Sequence, residues 1–208
     1  RDVQGRLVVA AAVSTHPEDV ERAEACVRAG ADLLSIDASD GFSDFMKDTL
    51  AAVKPLGVPV IAGNVVDRDG FEFLAESGAD GVKVGIGSGS ICTTRRVKAI
   101  GRGQATALRV VVLARNAWFD RTGHYLPVIS DGGVSGTGDM SVALALGADV
   151  LMMGKYFAGF QESPTAPYVK KFPVGAGLEL SAPVKPYWGE ASTRAKNVKR
   201  YQQSDPRT

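Results

Sequence analysis

At 208 residues and 21.8 kDa, with 45% hydrophobic and 23% charged residues, the chain has the composition of a soluble globular domain with a sizeable core. Its net charge of +1 supplies no field that would draw it to nucleic acid or to an anionic membrane, and no apolar run is long enough to span a bilayer. The two cysteines, Cys26 and Cys92, are too few for a disulfide scaffold and point to reduced thiols and a cytoplasmic setting. The opening Arg1-Asp2-Val3-Gln4-Gly5 carries no signal peptide and reads as the interior of a longer protein.

Short β-branched runs alternate with helical stretches along the chain. Strands are predicted at Leu7 to Val13, Leu33 to Asp37, Val58 to Asn64, Gly81 to Gly85, Leu126 to Ser130 and Val150 to Gly154. Each is nearly continuous in apolar residues, as in strands buried on both faces. The first helix is signalled by Thr15-His16-Pro17-Glu18, with Thr15 as cap, and carries Val20, Ala23 and Val27 on one face before Gly30. Cys26 lies in this helix and faces the core. Ala-Gly-Ala-Asp or a close variant introduces a strand three times, at Ala29 to Asp32, Ser77 to Asp80 and Leu146 to Asp149. Each glycine is suited to end a helix in a left-handed conformation. The βα repeat indicates a parallel α/β fold.

A doubly wound sheet calls for a Gly-x-Gly-x-x-Gly turn after the first strand, and none is present. A (β/α)8 barrel calls for functional residues at the C-terminal ends of several strands, with phosphate-binding glycines after the last two. Asp37, Asn64, Gly85, Asp131 and Gly154 stand at such ends, and Asp131-Gly132-Gly133 and Gly154 close the last two strands. The barrel is the better fit, incomplete at six βα units. Residues 1–157 form the partial barrel in this reading. Residues 158–208, rich in proline and poor in periodicity, form a weakly ordered flap with one short helix from Ser192 to Tyr201.

The segment richest in chemistry is Gly85-Ile86-Gly87-Ser88-Gly89-Ser90-Ile91-Cys92-Thr93-Thr94-Arg95, which follows a strand. Its glycines let backbone approach a ligand, offering N–H groups to a phosphate or carbonyls to a cation. Cys92 becomes a nucleophile where a neighbour stabilises its thiolate, and Arg95 or Arg96 is the nearest candidate. His16 and His124 fit no ligand or triad spacing and read as surface residues.

This loop resembles the active-site loop of the IMP dehydrogenases and GMP reductases. Ala62-Gly63-Asn64-Val65-Val66, Val82-Lys83-Val84, Ser130-Asp131-Gly132-Gly133 and Met152-Met153-Gly154 are similar as well, and the resemblance runs to about Tyr201. In that family the cysteine loop follows the sixth barrel strand, so the six strands here correspond to strands three to eight. The resemblance implies that Cys92 attacks C2 of IMP, that hydride passes to NAD, and that water, activated with the help of Thr94, Arg200 and Tyr201, releases XMP. It implies that Asp131 accepts from the ribose hydroxyls. The phosphate is held by Ser90, Gly132-Gly133, Gly154 and Lys155 with Tyr187, while Gly189 and Glu190 meet the purine edge. Asp37, Ser39 and Asn64 take the nicotinamide half of NAD, and the carbonyls of Gly87, Gly89 and Cys92 hold a potassium ion. A homotetramer is implied too.

Tyr187-Trp188-Gly189-Glu190 and Arg200-Tyr201 resemble the mobile flap of the dehydrogenases. Ala38, Lys155 and the Val134-to-Asp139 loop depart from the family's usual wording, and Ala166 to Pro183 is longer than usual. Two other readings stand beside the dehydrogenase: a GMP reductase, which uses the same cysteine loop, and a nucleotide-binding module without turnover.

Overall fold

A computed structural model of the chain describes residues 3–189 and Ser192. Six parallel strands form one sheet in chain order: β1 (Ala10–Val13), β2 (Leu33–Asp37), β3 (Val60–Val65), β4 (Gly81–Val84), β5 (Val128–Asp131) and β6 (Val150–Met152). The sheet is a curled part of a (β/α)8 barrel. All six predicted strands are present, with boundaries moved by up to three residues. Leu7, Val8 and Val9 lie outside β1 and are exposed. Gly154 opens a helix rather than closing β6.

The helices are α1 (Asp19–Arg28), α2 (Asp44–Val53), α3 (Arg68–Glu76), α4 (Thr94–Lys98), α5 (Gln104–Thr122), α6 (Thr137–Ala145) and α7 (Gly154–Ala158). Side chains alternate across each strand. Leu34, Ile36, Val60, Ala62, Val82, Val84 and Val128 join one core with Ala23, Leu50, Leu74 and Leu108 of the helices. The other face of the central strands carries Ser35, Ile61, Gly81, Lys83 and Ile129. Two of these meet at Gly81, where a Cβ would lie 3.4 Å from Ile129 and 3.5 Å from Ile61. The central strands are buried on both faces as expected, whereas the edge strands β1 and β6 are largely exposed.

Thr15 does not cap α1. Glu18 holds the cap position with no side-chain hydrogen bond, and Asp19 Oδ2 instead accepts from Ser14 N–H at 2.5 Å. The Gly-Ala-Asp repeat does more than end helices. Gly30, Gly78 and Gly147 have φ of 96°, 88° and 101°, and the following aspartates reach back to the preceding strand. Asp32 donates its N–H to Val9 O and accepts from Val9 N–H; Asp80 does the same with Val60, and Asp149 with Val128. The acceptor distances are 2.7, 2.7 and 2.8 Å. One short motif thus stops a helix, leads into a strand and satisfies an N–H at the start of the strand before it: the first residue of β3 and of β5, and Val9 immediately before β1.

Asp149 also anchors a polar cluster at the N-terminal end of the sheet. Arg115, 6% exposed, pairs with it at 2.8 Å, and Tyr125 Oη donates to it at 2.6 Å. Acceptance of that proton by Asp149, then burial, holds the Tyr125 pKa above its ordinary value. Arg115→Leu strands Asp149 and Tyr125 without their cation. Asp149 keeps 29% of its side chain exposed, so the loss should be about 1–2 kcal/mol, and urea unfolding of the variant should read it. A change within ~0.5 kcal/mol, as at an ordinary surface site, would count the cluster as solvated.

The segment beyond α7 differs from expectation. Tyr168–Gly175 (β7) and Leu178–Val184 (β8) pair as an antiparallel hairpin around Ala176-Gly177. The prolines are compatible with it because a two-stranded ribbon has open edges that need no N–H from Pro173 or Pro183. Lys185 ties the hairpin's exit to the chain after α7, donating to the carbonyls of Phe160, Gln161 and Ser163 at 2.5, 3.3 and 2.9 Å. Apart from Ser192, the predicted Ser192-to-Tyr201 helix lies outside the described residues.

Candidate active site

The C-terminal ends of the strands meet in a cleft of about 420 Å³, lined by Asp37, Ser39, Asn64, Gly87, Gly89, Cys92, Thr94, Asp131, Gly189 and Ser192. A second cleft of about 400 Å³ shares Asp37, Gly89 and Asp131 with the first. It continues past Ser90, Gly132 and Gly133 to Gly154, Lys155 and Tyr187. All the site residues expected from sequence that fall among the described residues line one cleft or the other. Glu190, Arg200 and Tyr201 lie outside the described residues.

Lys83 was not among the expected site residues, yet it sits at the floor between the strand ends. Its side chain is 2% exposed, and Nζ donates to Asp37 Oδ1 at 2.5 Å, to Asp131 Oδ2 at 2.9 Å and to Asn64 Oδ1. Asn64 Nδ2 in turn donates to Gly85 O at 2.6 Å and Asp131 Oδ2 at 2.9 Å. Residues from β2, β3, β4 and β5 are thereby joined in one network. Gly63 makes room for the lysine: a Cβ there would come within 2.6 Å of Lys83 Cβ. The available signal was a lysine inside an otherwise apolar strand, because a buried ammonium requires anionic or carbonyl partners.

The cysteine loop is held against the Asp131 turn. Ser88 Oγ donates to Asp131 O at 2.7 Å. Gly85 has φ of +139°, and a Cβ there would lie 2.2 Å from the same carbonyl, so no other residue fits this approach. Cys92 is exposed to the cleft, its N–H donating to Gly89 O at 3.1 Å and its Sγ–H to Thr94 Oγ1 at 3.2 Å. Arg95 does not serve the thiol. Its guanidinium turns to the carbonyls of Ile86 and Arg102, and its stem packs over Gly87, which locks the loop's base to the segment before α5.

At the other end Tyr187 lies over Gly154, where a Cβ would fall 2.3 Å from the tyrosine oxygen. Burial, then the negative charge of Asp131, raises the Tyr187 pKa. The phenol therefore keeps its proton near neutrality and is available as a donor beside the start of α7. Lys155 follows Gly154 and is exposed. Ser39 Oγ accepts from Lys98 Nζ at 2.5 Å, which fixes the rim of the first cleft. His16 and His124 are on the surface, as expected.

The model of the IMP dehydrogenase / GMP reductase domain matches residues 1–208. The chain belongs to this family. It is 49% identical over 203 residues to inosine-5'-monophosphate dehydrogenase from Tritrichomonas foetus, covering 96% of this chain and 38% of that protein. It is 44% identical over 173 residues to GMP reductase from Leishmania donovani, covering 81% and 34%. Among solved structures, a cysteine-to-alanine variant of GMP reductase from Trypanosoma brucei in complex with guanosine 5'-monophosphate superimposes with a TM-score of 0.74 at 39% identity. That match covers 81% of this chain and 35% of the other. The chain thus spans little more than a third of the length of these family members.

Proposed function

We propose that the full-length protein is an IMP dehydrogenase, oxidising IMP to XMP with NAD on the route to guanine nucleotides. The observation that carries this reading is the 49% identity to a dehydrogenase over 96% of the chain, against 44% over 81% for a reductase. The Arg200-Tyr201 pair supports it as well.

In this reading the two clefts divide one nucleotide. The Gly154 backbone, Lys155, Ser90, Gly132-Gly133 and the protonated Tyr187 take the phosphate, where N–H groups and a phenol donor suit an anion. Asp131 has one carboxylate oxygen committed to Lys83 and Asn64, leaving the other for ribose hydroxyls. Gly189, and with it Glu190, meets the purine edge. The base then lies over the cysteine loop, and Cys92 Sγ, its proton released to solvent, forms a bond to C2. The C2 hydrogen leaves with its electron pair, which NAD accepts when bound. The result is a covalent thioimidate on Cys92. Water, oriented by Thr94 and deprotonated with the help of Arg200 and Tyr201, adds to C2; the C–S bond breaks, and XMP and the thiol are released.

The first cleft fits the nicotinamide half of NAD. Asp37 turns an exposed carboxylate toward it, with a side chain 60% exposed, an acceptor suited to ribose hydroxyls. Ser39 and Asn64 border the same space. The neutral carbonyls of Gly87, Gly89 and Cys92 come from one turn and suit a hard cation such as potassium. Three donors fill only part of such an ion's shell, so other groups must complete it. The same reading takes the enzyme to be a homotetramer, by family resemblance, and cytoplasmic, from its two cysteines. No helix among the described residues is long and apolar enough to cross a membrane.

The rival reading is GMP reductase, favoured by the likeness to the Trypanosoma brucei structures. Purified full-length protein should produce NADH from IMP and NAD, and should leave NADPH unchanged in the presence of GMP. The opposite pattern would make it a reductase. Nucleotide binding without turnover in either assay would leave only the binding-module reading.

A further inference from the structure

Lys83 stands between two carboxylates to which the proposed reaction gives different ligands, and it is not itself among the residues that line either cleft. Asp37 ends β2 and Asp131 ends β5, and both line the two clefts; the proposed reaction assigns the cofactor ribose to Asp37 and the nucleotide ribose to Asp131. Without a cation between them, two like charges at one end of a sheet repel each other and spread. The ammonium donates to both carboxylates and to the Asn64 amide, spending three donors on three acceptors. The side chain is 2% exposed, and it packs against Gly63, where a Cβ would come within 2.6 Å of Lys83 Cβ.

We propose that Lys83 is a positioning residue shared by the two ligand sites. It sets the rotamers of Asp37 and Asp131 together, so that each presents its free oxygen to its own ribose. The proposal rests on the dehydrogenase reading for the identity of the two ligands, but its Asp131 half requires only that the site bind a purine nucleotide.

The arrangement makes a specific demand on kinetics. Ribose contacts hold ground state and transition state alike, so their loss raises KM more than it lowers kcat. In the full-length protein, Lys83→Met should raise KM for IMP and KM for NAD together, each about 10- to 100-fold, since both carboxylates lose the same partner. The fall in kcat should stay below about 10-fold. Lys83→Arg keeps the charge and should recover most of both KM values. Calorimetric titration with IMP, which needs no turnover, should report weaker binding to Lys83→Met by the same factor.

A rise in only one KM would overturn the shared role, as would a loss confined to kcat. If Lys83→Met does not fold, Lys83→Arg carries the test: near-wild-type KM values for both ligands support the proposal, and a collapse of either overturns it. Failure of the dehydrogenase reading has a separate signature, because wild-type protein would then not oxidise IMP at all. Titration of wild type and Lys83→Met with IMP or GMP would still decide the Asp131 half.

Discussion

Cys92→Ala in the full-length protein should eliminate turnover of IMP while leaving nucleotide binding within a few-fold of wild type. The sulfur is the only atom of the side chain that enters the proposed chemistry, and without a bond from it C2 does not become a hydride donor. Losing a nucleophile costs about 10,000-fold or more where it forms an obligatory covalent bond. Binding should survive because the groups assigned to phosphate and ribose stand on other elements. Asp131 ends β5, Gly154 opens α7, and Tyr187 follows the hairpin. The fold should survive too, since Cys92 is exposed and its side chain supports no core residue. Steady-state assay and calorimetric titration of the same preparation would check both halves. Residual turnover above about one per cent, beyond what loss of an obligatory nucleophile allows, would remove Cys92 from the mechanism.

Arg200→Ala should separate the two halves of the reaction. In the proposed reaction hydride transfer does not use Arg200, so the variant should still form the thioimidate and produce NADH in a burst near one equivalent per active site. Hydrolysis should then be slow, by about 100- to 10,000-fold, the usual cost of losing help from a general base. The steady state would be limited by release of the covalent intermediate, which mass spectrometry of quenched enzyme should detect on Cys92. Equal loss of burst and steady state would make Arg200 a binding residue. The contrast with Cys92→Ala is informative because that variant should show no burst at all. Tyr201→Phe, at the neighbouring position, should show a weaker form of the Arg200→Ala behaviour if the two act together.

Much of this architecture is written locally. The four central strands are legible because a strand covered on both faces needs nearly unbroken apolar residues, and the more exposed edge strands β1 and β6 carry the same apolar pattern. Their parallel order follows from the helices between them. The cysteine loop is equally legible, since closely spaced glycines after a strand have few structural uses apart from ligand approach. Other features depend on what residues distant in sequence do when brought together. The hairpin at Tyr168 to Val184 was unreadable because its exposed ribbon has no buried face to impose alternation. Arg95 lies three residues after Cys92 and was, with Arg96, a candidate partner for its thiol, yet its contacts are with Ile86 and Arg102. The Gly-Ala-Asp repeat reads as a helix end through its glycines, and nothing local shows that its aspartate carboxylates serve segments about twenty residues away.

Lys83 draws the boundary between the two kinds of information. The sequence by itself determined that a lysine interrupts an apolar strand, that Asp37, Asn64 and Asp131 end neighbouring strands, and that a nucleophile-bearing loop follows the lysine's own strand. Only the tertiary structure decided that the three polar residues converge on one ammonium. That convergence depends on the register of β2, β3, β4 and β5, which pairs Asp37 with Gly63 and Gly63 with Lys83. It also depends on sheet curvature bringing Asp131 within 2.9 Å of the same nitrogen. Register and curvature come from packing summed over the whole sheet, so no local pattern around Lys83 encodes its partners.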